Sequence, residues 1–346
     1  MTATACWCGA RELTPYGPDY ARCDACGTLL TAAMPSGDIA RVRDDSHDLY
    51  GHDYWFGHQS QDFGYPDIDQ RARADLPERC THWLRALLRY TLPPAKVLEV
   101  GAAHGGFVAL CRQAGFDAIG LELSPAIVEL ARRTFGVPML QGVVEDQPIP
   151  PGSLDVVALF DVLEHLQDPP ATMRHCLELL KPDGLLLIQT PKVPPGARYE
   201  DLVAGHDPFL AHFKKEEHLY LFTEEGVREL FRRVGATEMA ILPAIFAHYD
   251  MFFAVSRRSL VARGDDEIAA ALRSPGQRLA LALLDLYSQL GQSEADRAER
   301  LRVIQALDSR VRTLEAGGGA GRGSGHSLGR WIRALARHVG MRDSGS

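Results

Sequence analysis

The chain has 346 residues, 46% of them hydrophobic and 24% charged, and a formal net charge of −8. That length suits one full α/β domain with flanking modules. No basic block dominates, which argues against nucleic acid as a partner. No apolar run approaches the ~20 residues of a membrane span, and no charged-then-apolar leader opens the chain, so a cytoplasmic location is expected.

Four of the seven cysteines lie near the start, in Cys6-Trp-Cys8-Gly and Cys23-Asp-Ala-Cys26-Gly. Two close pairs, each followed by glycine, suit a tetrahedral zinc ion held by two knuckles. Disulfides are disfavoured in a reducing cytoplasm. Four thiolates close the coordination sphere, so the expected zinc is structural and takes no part in chemistry. Cys80, Cys111 and Cys176 stand singly in apolar contexts and read as core fillers.

Asp44 to Pro66 has no period and carries Tyr50, Tyr54, Trp55, Phe56 and Tyr65. It reads as an ordered aromatic loop, with Tyr54 to Phe56 as a candidate lid. From Asp69 to Tyr90, Leu76, Cys80, Trp83, Leu84, Leu87 and Leu88 recur at helical spacing, and Pro93-Pro94 follows.

Lys96-Val-Leu-Glu-Val-Gly-Ala-Ala-His-Gly-Gly106 is the most informative stretch. An apolar run holds Glu99, and a glycine-rich turn and a helix-like run follow. A second apolar run, Ala118 to Leu121, ends in Glu122. This is a βαβ unit for an adenosine-containing cofactor, in which Glu122 can take both ribose hydroxyls. From Gly101 the turn reads G-x-A-x-G-G, so the dinucleotide fingerprint is absent. A carboxylate at Glu99 would repel a pyrophosphate and attract a cationic amine. S-adenosylmethionine has an ammonium, a sulfonium and a ribose, and no phosphate.

The segment resembles motif I of the class I S-adenosylmethionine-dependent methyltransferases, with Ala103 where the middle glycine usually sits. Gln141-Gly-Val-Val-Glu-Asp-Gln-Pro148, Asp161-Val-Leu-Glu-His-Leu166 and Leu179-Leu-Lys-Pro-Asp-Gly-Leu-Leu-Leu-Ile188 follow in family order. The resemblance covers about Lys96 to Ser256. It implies cofactor contacts from Glu99, Gly101, Ala103, Gly105, Glu122, Leu123, Val144, Glu145, Phe160 and Asp161. Val143 stands where family members often carry an adenine-binding Asp, so Glu145 or backbone groups must serve.

The core strands are expected at Val97–Val100, Ala118–Leu121, Met139–Gly142, Leu154–Phe160, Leu185–Gln189, Thr237–Leu242 and Met251–Val255. Alternation with helices predicts a doubly wound, seven-stranded, mostly parallel sheet. The short link Pro243 to Asp250 requires the last two strands to pair antiparallel. The Pro182-Asp-Gly segment reads as a turn between a helix and the fifth strand.

In the tail, Asp265 to Gln292 and Glu294 to Glu315 read as two helices split by Gly291. Ile304, Leu307, Val311 and Leu314 form a short coiled-coil-like seam. Gly317 to Gly325 reads as a linker. Ser327 to Arg342 reads as a basic amphipathic helix around Trp331, suited to self-association or a protein partner, or else to a membrane surface. The expected organisation is a zinc ribbon over 1–34, an aromatic loop and helical lid over 35–95, a cofactor-binding core over 96–258, a helical extension over 259–316, a linker over 317–326 and a helix and tail over 327–346.

Methyl transfer to a hydroxyl needs alignment and a base near neutral pH, and histidine suits that role. His104, His165, His212 and His218 are the candidates. His165 lies in the D-V-L-E-H signature, and His104 is expected to pack over the cofactor. Lys215-Glu-Glu-His-Leu-Tyr-Leu-Phe-Thr223 resembles the segment that closes the acceptor pocket in zinc-ribbon methyltransferases. That match implies catalytic roles for Glu217 and His218, with Glu217 orienting the imidazole. Such relatives act on sugars, polysaccharide precursors or other secondary metabolites. The expected reaction is O-methylation of a small-molecule or glycosyl acceptor. Two alternatives stand beside it: an RNA or protein methyltransferase with the ribbon as substrate clamp, and a non-catalytic cofactor-binding scaffold.

Overall fold

The computed structural model describes residues 5–35, 37, 39, 41–45, 48–58 and 66–317, with side chains of 58 and 314–317 excepted. Tyr65 of the aromatic loop, the linker beyond 317 and the helix expected over 327–342 lie outside the described residues, as does the Leu314 side chain.

Eleven strands are described: β1 (Leu13–Tyr16), β2 (Tyr20–Cys23), β3 (Leu29–Thr31), β4 (Lys96–Val100), β5 (Asp117–Glu122), β6 (Met139–Gln141), β7 (Leu154–Phe160), β8 (Leu180–Pro191), β9 (Tyr220–Leu221), β10 (Glu238–Leu242) and β11 (Asp250–Ser256). Seven form one sheet in the order β10-β11-β8-β7-β4-β5-β6. Strands β4 to β8 run parallel, and β11 is antiparallel to both β8 and β10. The expected seven-stranded, mostly parallel sheet is therefore present, and its last two strands pair as the short link requires.

The strands are apolar on both faces because helices cover both. Leu98, Val157, Leu159, Leu186, Ile188, Phe253 and Val255 enter one buried cluster. Their neighbours Val97, Val156, Ala158, Leu185, Leu187, Phe252 and Ala254 enter the other. Strict alternation along each strand builds the two layers. Local chemistry sets the helix starts: Ser124 caps Pro125–Phe135, Asp168 caps Pro169–Leu179 and Thr223 caps Glu224–Arg233, each accepting a backbone amide. In the first two, proline occupies the first turn, where its missing N–H costs nothing.

Three expectations change. The helical stretch before β4 is not continuous: Ile68–Ala74 and Thr81–Tyr90 are separated by a wider turn over Leu76–Cys80. Pro182-Asp-Gly is not a separate turn before the fifth strand. Leu180 already pairs with Leu154 and Leu185 with Val156, so the segment bulges from within β8. The tail breaks before Pro275, not at Gly291, and one helix runs Pro275–Gly317. Ser274 and Gln277 exchange hydrogen bonds at that start. An exposed glycine inside a helix costs only ~1 kcal/mol and need not end it.

The described residues up to Leu284 form one compact unit, and those from Asp285 to Gly317 belong to a second. In the first, Ala280 and Leu284 are buried. In the second, Leu286, Leu290, Val303 and Leu307 are exposed. No helix of the described residues is long and apolar enough to cross a membrane.

A second sheet has the order β1-β2-β3-β9. Its first three strands come from the cysteine-bearing segment and the fourth from residues just after His218. Cys6, Cys8, Cys23, Cys26 and Leu30 share one buried cluster with Leu219, Tyr220 and Phe222. The cysteines thus share the core of the larger sheet, while Tyr16, Tyr20 and Leu29 pack in a separate cluster with Val193, Leu202, Phe209 and Leu221.

Candidate active site

Strand β4 ends at the glycine-rich turn. Gly101 and Ala102 donate their amides to the Leu121 carbonyl at 2.9 and 3.0 Å, which ties the turn to β5. Gly101 has φ +71°, and a Cβ there would meet Val162 Cγ2 at 2.5 Å. Ala103 has φ +43°, in the left-handed region where a side chain is strained. The substitution of alanine for the usual glycine is therefore a conformational departure as well as one added methyl.

Glu99 is buried, and among the described residues its Oε2 has no hydrogen-bond partner. Burial, then the neighbouring Glu122 charge, pushes its carboxyl well above the ordinary range. A buried carboxyl oxygen without a partner calls for a cationic donor. Glu122, also buried, accepts the Ala103 amide at 3.0 Å and the Leu123 and Ser124 amides at 2.8 and 3.4 Å. Burial raises its carboxyl despite those donors. Glu99 and Glu122 fit the ammonium and ribose of S-adenosylmethionine in that order.

The remaining candidates for the cofactor divide. Val144 is buried in a short turn, and Glu145 accepts the Thr172 hydroxyl at 2.6 Å. The Phe160 ring stacks on Trp83 at 4.0 Å between centroids, so it belongs to the core. Asp161 has φ +56°, and its carboxylate meets Arg79 at 3.2 Å and the Gln189 amide at 3.0 Å. His104 accepts the Gly106 amide on Nδ1 at 3.1 Å, so its proton sits on Nε2, 3.1 Å from Asp75. It buttresses the glycine-rich turn.

His165 and His218 come together, with ring centroids 4.8 Å apart and planes near perpendicular. Nδ1 of His165 lies 2.9 Å from the Glu217 carbonyl and 3.0 Å from the Tyr50 hydroxyl. Nδ1 of His218 lies 2.9 Å from the His212 carbonyl. A carbonyl only accepts, so each Nδ1 carries the proton and each Nε2 keeps its lone pair. Burial lowers both imidazoles, and the charges of His165, His212 and Lys214 push His218 further down. His212 is pushed down to about 4, chiefly by burial. The expectation that Glu217 orients the His218 ring meets a different geometry. The Glu217 carboxylate accepts the Tyr54 hydroxyl at 3.2 Å, and the His212 carbonyl fixes His218.

Glu164 is buried beside them and accepts the Thr190 hydroxyl at 2.9 Å. Its carboxylate and the two imidazoles bring donor atoms within 4.8 Å of one another, a set that could hold a cation. Tyr50, expected only as part of an aromatic loop, contacts His165, and Tyr54 of the candidate lid contacts Glu217. The sequence carried no signal for Arg79, Gln189 or Tyr20.

The four cysteine sulfurs of the ribbon also lie within 4.8 Å of one another, with Cys6–Cys26 at 3.7 Å and Cys8–Cys23 at 3.6 Å. Four thiolates on one tetrahedral zinc stand ~3.8 Å apart, given Zn–S of about 2.3 Å. The spacing fits zinc.

A methyltransferase-domain family profile matches residues 72–239. Among curated proteins, the chain is 32% identical over 162 residues to a ubiquinone biosynthesis O-methyltransferase of Xanthomonas campestris pv. campestris (strain B100), covering 42% of this chain and 66% of that protein. It is 32% identical over 184 residues to the same-named protein of Xanthomonas axonopodis pv. citri (strain 306), covering 47% of this chain and 75% of that protein. The chain thus spans just under two thirds of the length of the first of these relatives. Among solved structures, an S-adenosylmethionine-dependent methyltransferase from Archaeoglobus fulgidus aligns with TM-score 0.42 and 16% identity, over 52% of this chain and 93% of that one.

Proposed function

The chain belongs to the class I S-adenosylmethionine-dependent methyltransferases, and we propose that it methylates an oxygen of a small-molecule or glycosyl acceptor. The observation that carries this reading is the pair of neutral imidazoles, His218 buried and His165 half-buried, whose Nδ1 protons are given to backbone carbonyls. That arrangement leaves a lone pair on His218 Nε2 to take a hydroxyl proton. The curated relatives' name, an O-methyltransferase, supports oxygen as the accepting atom.

S-adenosylmethionine, when bound, supplies a sulfonium-activated methyl group for in-line displacement. Glu99 would hold the ammonium, Glu122 the ribose, and backbone groups of the Gly101–Gly105 turn the remainder. His218 removes the acceptor proton, and His165 stands beside it as the second base. Tyr54 and Glu217 close the pocket and orient the acceptor. Burial of these groups excludes water, and alignment alone can contribute ~7–11 kcal/mol. Cys6, Cys8, Cys23 and Cys26 would hold a structural zinc. The C-terminal helices are offered as a self-association surface.

Glu164, beside His165 and His218, favours a second reading in which a divalent cation orients the acceptor oxygen. The test is a radiolabelled methyl-transfer screen with nucleotide sugars, glycans, small phenols, RNA and protein, each with and without added magnesium. Label in a small-molecule or glycan arm is expected. Label only in RNA or protein would reverse the acceptor assignment, and strict dependence on the cation would favour the second reading.

A further inference from the structure

The segment that carries His218 hangs from the ribbon more than from the seven-stranded sheet. Strand β9 begins two residues after His218 and pairs in register with β3, Leu30 against Tyr220 and Leu29 against Leu221. The Tyr20 hydroxyl on β2 donates to the His218 carbonyl at 2.8 Å, a buried contact across 198 residues. Thr31 adds two more bonds, its amide to the Leu219 carbonyl at 3.0 Å and its hydroxyl to the Lys215 carbonyl at 2.8 Å. The backbone from Lys215 to Leu221 is thereby anchored at three carbonyls and two strand pairs, all on β2 or β3. Just past this stretch, Phe222 bridges Lys192 and accepts the Val193 amide, both in the segment that follows β8. The His165 side chain also holds the Glu217 carbonyl, and Leu219 and Tyr220 pack in the cluster they share with Leu186 and Ile188.

The strands that do the anchoring are the ones the cysteines order. Cys23 ends β2, and Cys26 opens the turn into β3. Cys26 also accepts the Thr223 hydroxyl at its carbonyl, at 3.2 Å. A change in the cysteine cluster therefore reaches both sides of His218 through directional bonds at the Tyr20 and Thr223 hydroxyls. A solvated surface module would have no such path.

We propose that the ribbon is a positioning device for His218, with Tyr20 as the positioning residue that transmits the order of the cysteine cluster to the His218 backbone. The consequence for turnover rests on His218 being the base. The positioning itself can be read without an acceptor.

The test uses the full chain, zinc-loaded, with 15N-labelled imidazoles. His218 signals are identified by their loss in His218→Gln. The expected wild-type pattern for His218 is a single tautomer protonated on Nδ1. In Tyr20→Phe, in Thr31→Val and after zinc removal by chelation, that pattern should give way to averaged tautomers. Amide exchange at Tyr220 and Leu221 should quicken about tenfold, the size of one lost hydrogen bond. His104, held by Asp75 away from the ribbon, should keep its signals, and calorimetric affinity for S-adenosylmethionine should be unchanged. Unaltered His218 signals in all three samples overturn the proposal. So does a change that spreads equally to His104, which is general loosening. Responsive His218 signals with normal turnover in His218→Ala would uphold the positioning and remove the base assignment alone.

Discussion

The backbone carbonyl of Glu217 accepts the Nδ1 proton of His165 at 2.9 Å, so one candidate base is held by the residue preceding the other. Turnover should therefore depend on both rings, but unequally. His218→Ala is expected to lower turnover by ~10²–10⁴-fold with cofactor affinity nearly intact, the usual span of general-base catalysis. His165→Ala should cost less. A methyl-transfer assay on both variants checks this, and a collapse confined to His165→Ala would exchange their roles.

The pH profile follows from burial. His165, His212 and His218 are all held below the ordinary imidazole range. A base with a lowered pKa stays neutral in milder acid, so the acid limb of turnover should fall below the unperturbed value of ~6.5. Stability runs the same way. The unfolded chain binds these protons first, so stability rises with pH up to about 6.5 and is lost as pH falls below it. Denaturant titrations across that range measure the slope.

Glu99 predicts a proton linkage. Its carboxyl is raised well above the ordinary range by burial and by Glu122, and it must ionise to hold an ammonium. Binding of S-adenosylmethionine should release a proton, and affinity should rise with pH until Glu99 is ionised in the free protein. Calorimetry in buffers of different ionisation enthalpy reads the proton directly, and Glu99→Gln should abolish it. Glu122→Ala should weaken the cofactor by roughly 1.5–3 kcal/mol, the range for hydrogen bonds to charged groups.

Ala103 offers a stability test. At φ +43° a glycine would relieve the strain of the left-handed region, against some loss from the freer unfolded chain. Ala103→Gly should gain about 0.5–1 kcal/mol, visible as a higher midpoint of thermal unfolding. A lower midpoint would mean that the methyl packs favourably.

Zinc content closes the set. Protein prepared without chelators should contain one zinc per chain by elemental analysis, and Cys23→Ser should lose it together with stability. Metal-free wild-type protein would refute the ribbon assignment.

Much of this was legible in the sequence for physical reasons. Apolar runs alternating with helical segments marked the seven strands, because both faces of the sheet are buried and its strands read as near-continuous apolar stretches. Glu99 and Glu122 stood out because an acid ending an apolar strand is costly without a ligand. Ser274-Pro275 carries a helix-start signal, with proline in the first turn, whereas Gly291 sits inside the helix and ends nothing. Strand β9 could not be read, since two residues have no period. The Tyr20 bond could not be read either, because it joins positions 198 residues apart. Nor does alanine in a sequence disclose its φ.

The fourth strand of the small sheet also dictates an order of assembly. As the chain emerges during synthesis, β1, β2 and β3 can pair with one another at once, because they are neighbours in sequence. Their outer edge then stays open, an exposed template for other chains, until β9 has been made. The N-terminal segment is therefore the first to fold in part and among the last to be completed. Fragments that stop short of β9 should aggregate through that edge, even when every cysteine is present.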